Sequence, residues 1–80
     1  MRLDKYLKNS RLIKRRTVAK DACEGDKVYL NGKPAKSGAE VKVGDKIEIV
    51  FGEKSIKIEV LDICDTATKA AAREMYRIIE

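Results

Sequence analysis

A dense group of cationic side chains surrounds the position where a second helix is predicted to begin, at Thr17. Backbone N–H groups in the first turn of a helix have no partners within the helix, and the positive end of the helix dipole lies there. A phosphate at that position would meet these N–H groups together with guanidinium groups that grip it through two parallel hydrogen bonds. The pattern therefore predicts a phosphate-binding face that comprises Lys8, Arg11, Lys14, Arg15, Arg16 and Lys20.

The charge of the chain is unevenly distributed. Its 80 residues carry a net charge of +5. Residues 1–36 contain 11 Lys and Arg against 4 Asp and Glu, whereas residues 37–80 contain 7 against 9. This asymmetry favours a polyanionic partner for the first half of the chain, although a solvated basic surface without a partner would have the same composition. Contacts with six phosphates would give a log–log slope of affinity against salt of roughly −4 to −5.

The sequence offers little for catalysis or metal binding. It contains no histidine, and its two cysteines, Cys23 and Cys64, lie too far apart in sequence to form a metal-binding pair. Its serines lack a base partner and its carboxylates show no paired pattern, so we expect no enzyme activity, no cofactor and no metal. Met1 leads directly into charged residues, without a signal peptide or a transmembrane run. We therefore expect a cytoplasmic protein with no membrane partner, whose reduced thiols serve as small core residues.

Helical periodicity predicts a first short helix that ends near Asn9-Ser10. Leu3, Tyr6 and Leu7 share one face of it, so Tyr6 is interpreted as a core residue and not as a base-stacking ring. With only 5% aromatic residues, the chain is also poorly suited to form a platform of stacked bases. Asp4 lies in the first turn, where a carboxylate can bind backbone N–H groups or orient a neighbouring arginine.

A second helix is predicted after a connector at residues 11–16. Thr17 is interpreted as its N-cap, and Gly25 is suited to end it. The apolar stripe of this helix is predicted to be Val18, Ala19, Ala22 and Cys23.

From residue 27 the hydrophobic period changes to two, which is typical of strands. Asn31-Gly32 is typical of a tight turn, and Pro34 restricts the following stretch to an edge strand or a loop. Strands are predicted at residues 27–30, 46–51 and 55–60, with a short extended piece at residues 41–43. The last two strands should form a hairpin with one buried and one solvated face.

A closing helix is predicted from the candidate caps Asp65 and Thr66 to about Ile79. Its buried side should comprise Ala71, Met75, Ile78 and Ile79. The predicted fold class is α+β, with two short N-terminal helices packed on a small, mostly antiparallel sheet and a C-terminal helix.

Spaced motifs within about residues 2–50 resemble a known RNA-binding module, the one named after the fourth small-subunit ribosomal protein. The resemblance implies that the two short helices form an RNA-binding face, with the sheet as scaffold. We expect an RNA-binding domain at residues 1–64 and a helical extension of that domain at residues 65–80. The motifs are Arg2-Leu3-Asp4-Lys5-x-Leu7, Ser10-Arg11, Ala19, Val28-x-Leu30-Asn31-Gly32, Lys36-Ser37 and Val41-x-x-Gly44-Asp45-x-Ile47.

The whole chain more closely resembles a stand-alone family, the bacterial ribosome quality control proteins P (RqcP). This closer match lies in residues 2–5, residues 10–17 and Met75-Tyr76. The resemblance implies contacts with large-subunit ribosomal RNA and with peptidyl-tRNA stranded on large ribosomal subunits. It also implies cooperation with a partner factor, RqcH, that directs untemplated alanine tailing of the nascent chain. We expect the protein to act as a monomer.

Two alternatives follow from the same module. The heat-shock protein fifteen family recycles aborted large subunits, but the resemblance implies a longer basic tail for that family, whereas this chain ends at Glu80. The module also often precedes RNA-modifying catalytic domains, and an enzyme accessory is the alternative of a different class. Here only a predicted hairpin and one helix follow the module, which disfavours that alternative.

The residue pattern and the resemblance favour the same candidate residues. Lys33 and Lys36 follow the Asn31-Gly32 turn and either extend the face or are ordinary solvated lysines. The candidate RNA-binding residues are Arg2, Lys5, Lys8, Arg11, Lys14, Arg15, Arg16, Thr17, Lys20 and Lys36.

Overall fold

A computed structural model describes residues 1–63 and 69–79, which form three helices and one five-stranded antiparallel sheet. The strands lie in the order β2-β1-β3-β4-β5 across the sheet. The described elements are α1 (Leu3–Asn9), α2 (Arg16–Glu24), β1 (Val28–Leu30), β2 (Lys33–Pro34), β3 (Lys46–Phe51), β4 (Lys54–Val60), α3 (Lys69–Glu74) and β5 (Tyr76–Ile78). The predicted α+β class, with two short helices against an antiparallel sheet, is confirmed.

One face of the sheet carries the core. Alternation along β3 and β4 buries every second side chain, so the predicted hairpin with one buried face is confirmed. The helices α1 and α2 contribute their apolar sides to the same cluster, in which Tyr6 and Cys23 are fully buried as predicted. Burial also raises the pKa of the Cys23 thiol to about 11, aided by the charges of Asp4 and Glu24, so the thiol stays protonated at neutral pH.

The other face of the sheet carries cross-strand pairs of opposite charge. Glu48 lies opposite Lys57, and Glu59 lies opposite Arg77. An Nη atom of Arg77 is 2.6 Å from Oε1 of Glu59. Because the signs alternate across neighbouring strands, this face gains modest stability from its pairs and presents no single sign of charge.

The Asn31-Gly32 turn has the backbone that its sequence predicts. Both residues have positive φ, 54° and 85°, as a two-residue hairpin loop of this kind requires. The Asn31 side chain also accepts a hydrogen bond from the Lys46 N–H at 3.0 Å and donates one to Asp45 at 3.2 Å. Pro34 lies in the edge strand β2, where its missing N–H costs no ladder hydrogen bond.

The predicted start of α2 at the N-cap Thr17 is wrong. The helix begins at Arg16, and its N-cap is Arg15, whose side chain makes no capping hydrogen bond. The position of the first turn is set by packing against α1, because Arg16 there reaches the Asp4 carboxylate. The predicted end near Gly25 is confirmed, but the left-handed conformation falls on Asp26, at φ 59°.

The predicted apolar stripe of α2 is only partly correct. Ala19 and Cys23, one turn apart, face the core and are fully buried. Val18 lies on the flank of the helix and is 50% exposed, so its assignment to the buried stripe is wrong.

The end of the chain differs most from its prediction. Helix α3 ends at Glu74, and Tyr76–Ile78 form β5, which pairs with the edge of β4. Met75 is buried as predicted, whereas Ile78 is 61% exposed and does not belong to a buried helical side. Pairing with β4 satisfies backbone groups on both strands, which explains why the helix does not continue. The predicted caps Asp65 and Thr66, the boundary near residue 64 and Cys64 lie outside the described residues.

The predicted extended piece at residues 41–43 does not form one of the strands. Val41 is nevertheless buried, and its N–H donates to the Met1 carbonyl at 2.9 Å. Over residues 1–63 and 69–79, no helix is long and apolar enough to cross a membrane.

Tyr6 connects α1 to the end of the described chain. Its buried hydroxyl donates to the Met75 carbonyl at 2.7 Å, and burial raises the pKa of Tyr6 above its ordinary value. We predict that Tyr6→Phe lowers the free energy of unfolding by about 1 kcal/mol, the net value of one such hydrogen bond. Chemical denaturation would measure the loss. Tyr29→Phe, on the other face of the sheet, is the matched control, and an equal effect of both changes would contradict the assigned role.

Candidate nucleic-acid interface

The buried carboxylate of Asp4 joins two arginines from different elements. Its Oδ1 accepts a hydrogen bond from Nε of Arg2 at 3.3 Å, and its Oδ2 accepts one from Nε of Arg16 at 3.4 Å. The Lys5 N–H donates to Oδ1 as well, at 2.8 Å. Asp4 is 3% exposed, whereas both arginine side chains are about half exposed. The expectation that Asp4 orients a neighbouring arginine is therefore confirmed, and it orients a second one too.

Charge and hydrogen bonding keep Asp4 ionised. Burial alone would raise its pKa, but the hydrogen bonds from Arg2 and the Lys5 N–H, with the charge and hydrogen bond of Arg16, hold the pKa below its ordinary 3.8. A permanent negative charge therefore lies between the two guanidinium groups at neutral pH.

A backbone clamp holds Arg2 at the start of α1. The Leu3 N–H donates to the Ala39 carbonyl at 2.8 Å, and residue 41 bonds back to Met1. The terminal amine of Met1 forms an ion pair with Glu40 at 2.8 Å. The Arg2 guanidinium also lies against Gly38, where an added Cβ would be 3.9 Å from its central carbon. Sequence reasoning missed this clamp, because no pattern in residues 38–41 predicts pairing with the first residues of the chain.

The first turn of α2 completes the candidate site. Arg2, Asp4, Arg16, Thr17 and Lys20 line one shallow open depression between the two helices. Both hydrogen bonds to Asp4 are donated by Nε, so within the described part of the chain the Nη groups of Arg2 and Arg16 remain available for phosphate oxygens. The structure thus brings together Arg2, Arg16, Thr17 and Lys20 of the predicted set.

Other predicted residues do not line this depression. Lys5 is half-buried on α1, whereas the remaining cations of α1 and the connector are exposed: Lys8, Arg11, Lys14 and Arg15. They extend the positive charge along the chain that leads into α2. We use "basic face" below for Arg2, Lys5, Lys8, Arg11, Lys14, Arg15, Arg16, Thr17 and Lys20.

Arg11 has a left-handed backbone conformation, with φ 63°. Its N–H donates to the Lys8 carbonyl at 3.0 Å, directly after the end of α1. A glycine or asparagine is usual at such a position, because a Cβ there costs roughly 1–2 kcal/mol. Arg11 thus combines an exposed cationic side chain with a strained backbone conformation.

Lys36 lies at the other end of α2. Its Nζ is 3.0 Å from Oδ1 of Asp26 and 3.3 Å from the Glu24 carbonyl. The hydrogen bond and charge of Asp26 raise the pKa of Lys36, so the lysine is charged but paired with a carboxylate. Its role in RNA binding stays a prediction, as does that of each residue of the basic face.

Comparisons with known proteins identify the family of the chain. The S4 domain family matches residues 1–47. The RQC P-site tRNA stabilizing factor of Streptococcus pneumoniae is 51% identical over 79 residues, which cover 99% of this chain and 90% of that protein. The factor of the same name from Bacillus subtilis is 45% identical over 80 residues, covering 100% of this chain and 93% of that protein.

A solved structure supports the relationship. The trimeric structure of Vibrio cholerae heat shock protein 15 superimposes with a TM-score of 0.89 and 34% identity, covering 98% of this chain and 80% of that one. The chain therefore belongs to the S4 domain family and, within it, to the family of the RQC P-site tRNA stabilizing factors.

We predict that Asp4→Asn lowers the free energy of unfolding by about 1–3 kcal/mol at neutral pH, because hydrogen bonds to a charged group are lost. The pKa of Asp4 is depressed in the folded state, so the carboxylate stabilises the fold above its unfolded pKa of about 4. This contribution is lost as the pH falls through the folded pKa. Urea denaturation of both proteins at about pH 7 and about pH 3 should therefore show a difference that shrinks in acid. A difference independent of pH would contradict the ion-pair role.

We predict that Arg11→Gly weakens RNA binding without destabilising the protein. Glycine relieves the left-handed strain, so the free energy of unfolding should stay unchanged or rise by up to about 1 kcal/mol. Arg11→Ala is the matched control, because it also removes the cation but retains the Cβ. Thermal melting should place Arg11→Gly above Arg11→Ala, and the reverse order would show that the backbone is not strained there.

Proposed function

We propose that this protein binds large-subunit ribosomal RNA and peptidyl-tRNA on obstructed large ribosomal subunits, as an RNA-binding component of ribosome quality control. The observation that carries the proposal is the pair of arginines, Arg2 and Arg16, fixed by one buried carboxylate at the start of α2. Two guanidinium groups held in a fixed relation can meet successive phosphates with little loss of side-chain freedom. The names of the relatives, which refer to P-site tRNA, support tRNA as part of the target.

The finer role that we propose is support of alanine tailing. The protein would hold the peptidyl-tRNA in place while the partner factor RqcH directs untemplated addition of alanine to the stalled chain. It would act in the cytoplasm, by binding alone, without a cofactor or a catalytic step. A monomer is sufficient for this role, because Arg2, Asp4 and Arg16 belong to one chain.

Recycling of aborted large subunits, in the manner of heat-shock protein fifteen, is the second candidate. The fold match with the Vibrio cholerae protein supports it. Sequence identity supports it less, at 34% for that protein against 45% and 51% for the two RQC factors. The two candidates differ in outcome: tailing lengthens the nascent chain with alanine, whereas recycling releases the subunit without lengthening it.

The test is co-sedimentation of the purified protein with large subunits that carry peptidyl-tRNA, at several salt concentrations. We predict that Arg16→Ala weakens binding by about 1–3 kcal/mol, the range for charge-assisted hydrogen bonds. It should also make the slope of log affinity against log salt shallower by about 1, since one phosphate contact is lost.

Arg77→Ala is the matched control, since Arg77 is a similarly exposed arginine on the opposite face of the sheet. Thermal melting would verify that both variants are folded. Equal binding by the two variants would refute the assignment of the basic face. Addition of alanine to the nascent chain when RqcH is supplied would separate tailing from recycling.

A further inference from the structure

An apolar cleft lies on the flank of α2 away from the depression between Arg2 and Lys20. It has a volume of about 510 Å³, within the range of roughly 300–1,000 Å³ for clefts that hold small ligands. Val18 from α2 and Phe51 from the end of β3 form its walls, and they are 50% and 52% exposed. The rest of its apolar lining comes from Leu12, Ile13, Ala22 and Val50. The basic face alone does not explain why a small domain exposes these side chains together.

Several of the residues that line the cleft are adjacent in sequence to residues of the basic face. Arg16 and Thr17 line the depression, and Val18, the next residue, lines the cleft. Leu12 and Ile13 line the cleft, and the exposed cations Lys14 and Arg15 follow them directly in the connector. Apolar residues of the cleft and cationic residues of the basic face are therefore neighbours along residues 12–18.

We propose that this cleft receives an unpaired nucleobase of the RNA that the basic face binds, with Phe51 as the stacking ring. A nucleotide has an apolar, flat base next to an anionic phosphate, which matches the apolar cleft beside Lys14 and Arg15. The inference rests on the proposed function because the RNA that enters the cleft is taken to be the RNA that the basic face binds. It specifies a single-stranded or looped element of that RNA, because a base within a duplex cannot leave the stack without cost.

The charge around the cleft favours RNA over an apolar protein segment. Lys27 lines the cleft, and Asp21 is the acidic residue among those that line it. The exposed cations Arg11, Lys14 and Arg15 flank the lining residues Leu12 and Ile13 in the chain. A polyanion that contacts these cations would have its bases near the cleft. An aromatic ring in such surroundings accepts any base, so the contact should contribute affinity without strong sequence preference.

The experiment uses a hairpin RNA with 2-aminopurine in its loop, together with large subunits that carry peptidyl-tRNA. Stacking on Phe51 should change the 2-aminopurine fluorescence when the wild-type protein binds. Phe51→Ala should abolish this change and weaken binding to both targets by roughly 5- to 150-fold, the range for base–aromatic stacking. Phe51→Tyr retains the ring and should bind like wild type.

The dependence on salt separates this contact from the phosphate contacts. Phe51→Ala should leave the slope of log affinity against log salt unchanged, because no phosphate contact is lost, whereas Arg16→Ala reduces it. Val43→Ser is the matched control for loss of an exposed apolar side chain, since Val43 is 61% exposed and precedes β3, at the opposite end from Phe51. Thermal melting of each variant would verify folding.

Two outcomes would overturn the inference, and a third would refute the proposed function instead. Wild-type affinity of Phe51→Ala for both targets would show that no base enters the cleft, while binding of large subunits could still support the proposed function. Loss of self-association or of RqcH binding in Phe51→Ala, with RNA affinity unchanged, would assign the cleft to a protein contact. Base stacking on the hairpin without any binding to large subunits would instead support the cleft and refute the proposed function.

Discussion

The buried carboxylate of Asp4 is the constraint on which the basic face depends. A buried charge without partners costs several kcal/mol, and the hydrogen bonds from cations to both oxygens of Asp4 offset this cost when α1 packs with Asp4 inward. One cation, Arg2, precedes α1, and the other, Arg16, begins α2. The same contacts with Asp4 therefore stabilise the packing of the two helices and fix the positions of the two guanidinium groups. Two cations that would otherwise repel each other across the helix pair are held at a fixed separation by the negative charge between them.

Local chemistry explains which parts of the fold could be predicted from the sequence. Asn31-Gly32 specifies its own turn, and two-residue alternation specifies which face of β3 is buried. The end of the chain could not be predicted in this way. An alanine-rich start favours helix, but Tyr76 and Ile78 become a strand because the edge of β4 is available to pair with them. That edge belongs to a strand distant in sequence, so no local pattern indicates it.

The candidate site also has a part that the sequence predicts and a part that depends on contacts between distant residues. Composition and spacing were sufficient to locate the cations around the start of α2. They could not indicate that Arg16 begins the helix and reaches Asp4, because this contact spans 12 residues and depends on how the helices pack. Val18 was assigned to the core by its apolar character, but periodicity identifies an apolar face without showing whether anything covers it. The clamp that places Arg2 against Gly38 likewise arises only when distant segments meet.

The hydrogen bond from Tyr6 to the Met75 carbonyl spans 69 residues and has a consequence for the order of biosynthesis. A ribosome makes α1 first, yet the partner of its buried hydroxyl leaves the exit tunnel only after the whole sheet has been translated. Contacts at such sequence separation form late, because the entropy of closing the intervening loop must be offset first. The nascent polypeptide therefore exposes its cationic amino-terminal segment before that segment has its final support. Its surface for RNA gains this support only once Met75 has joined the folded domain.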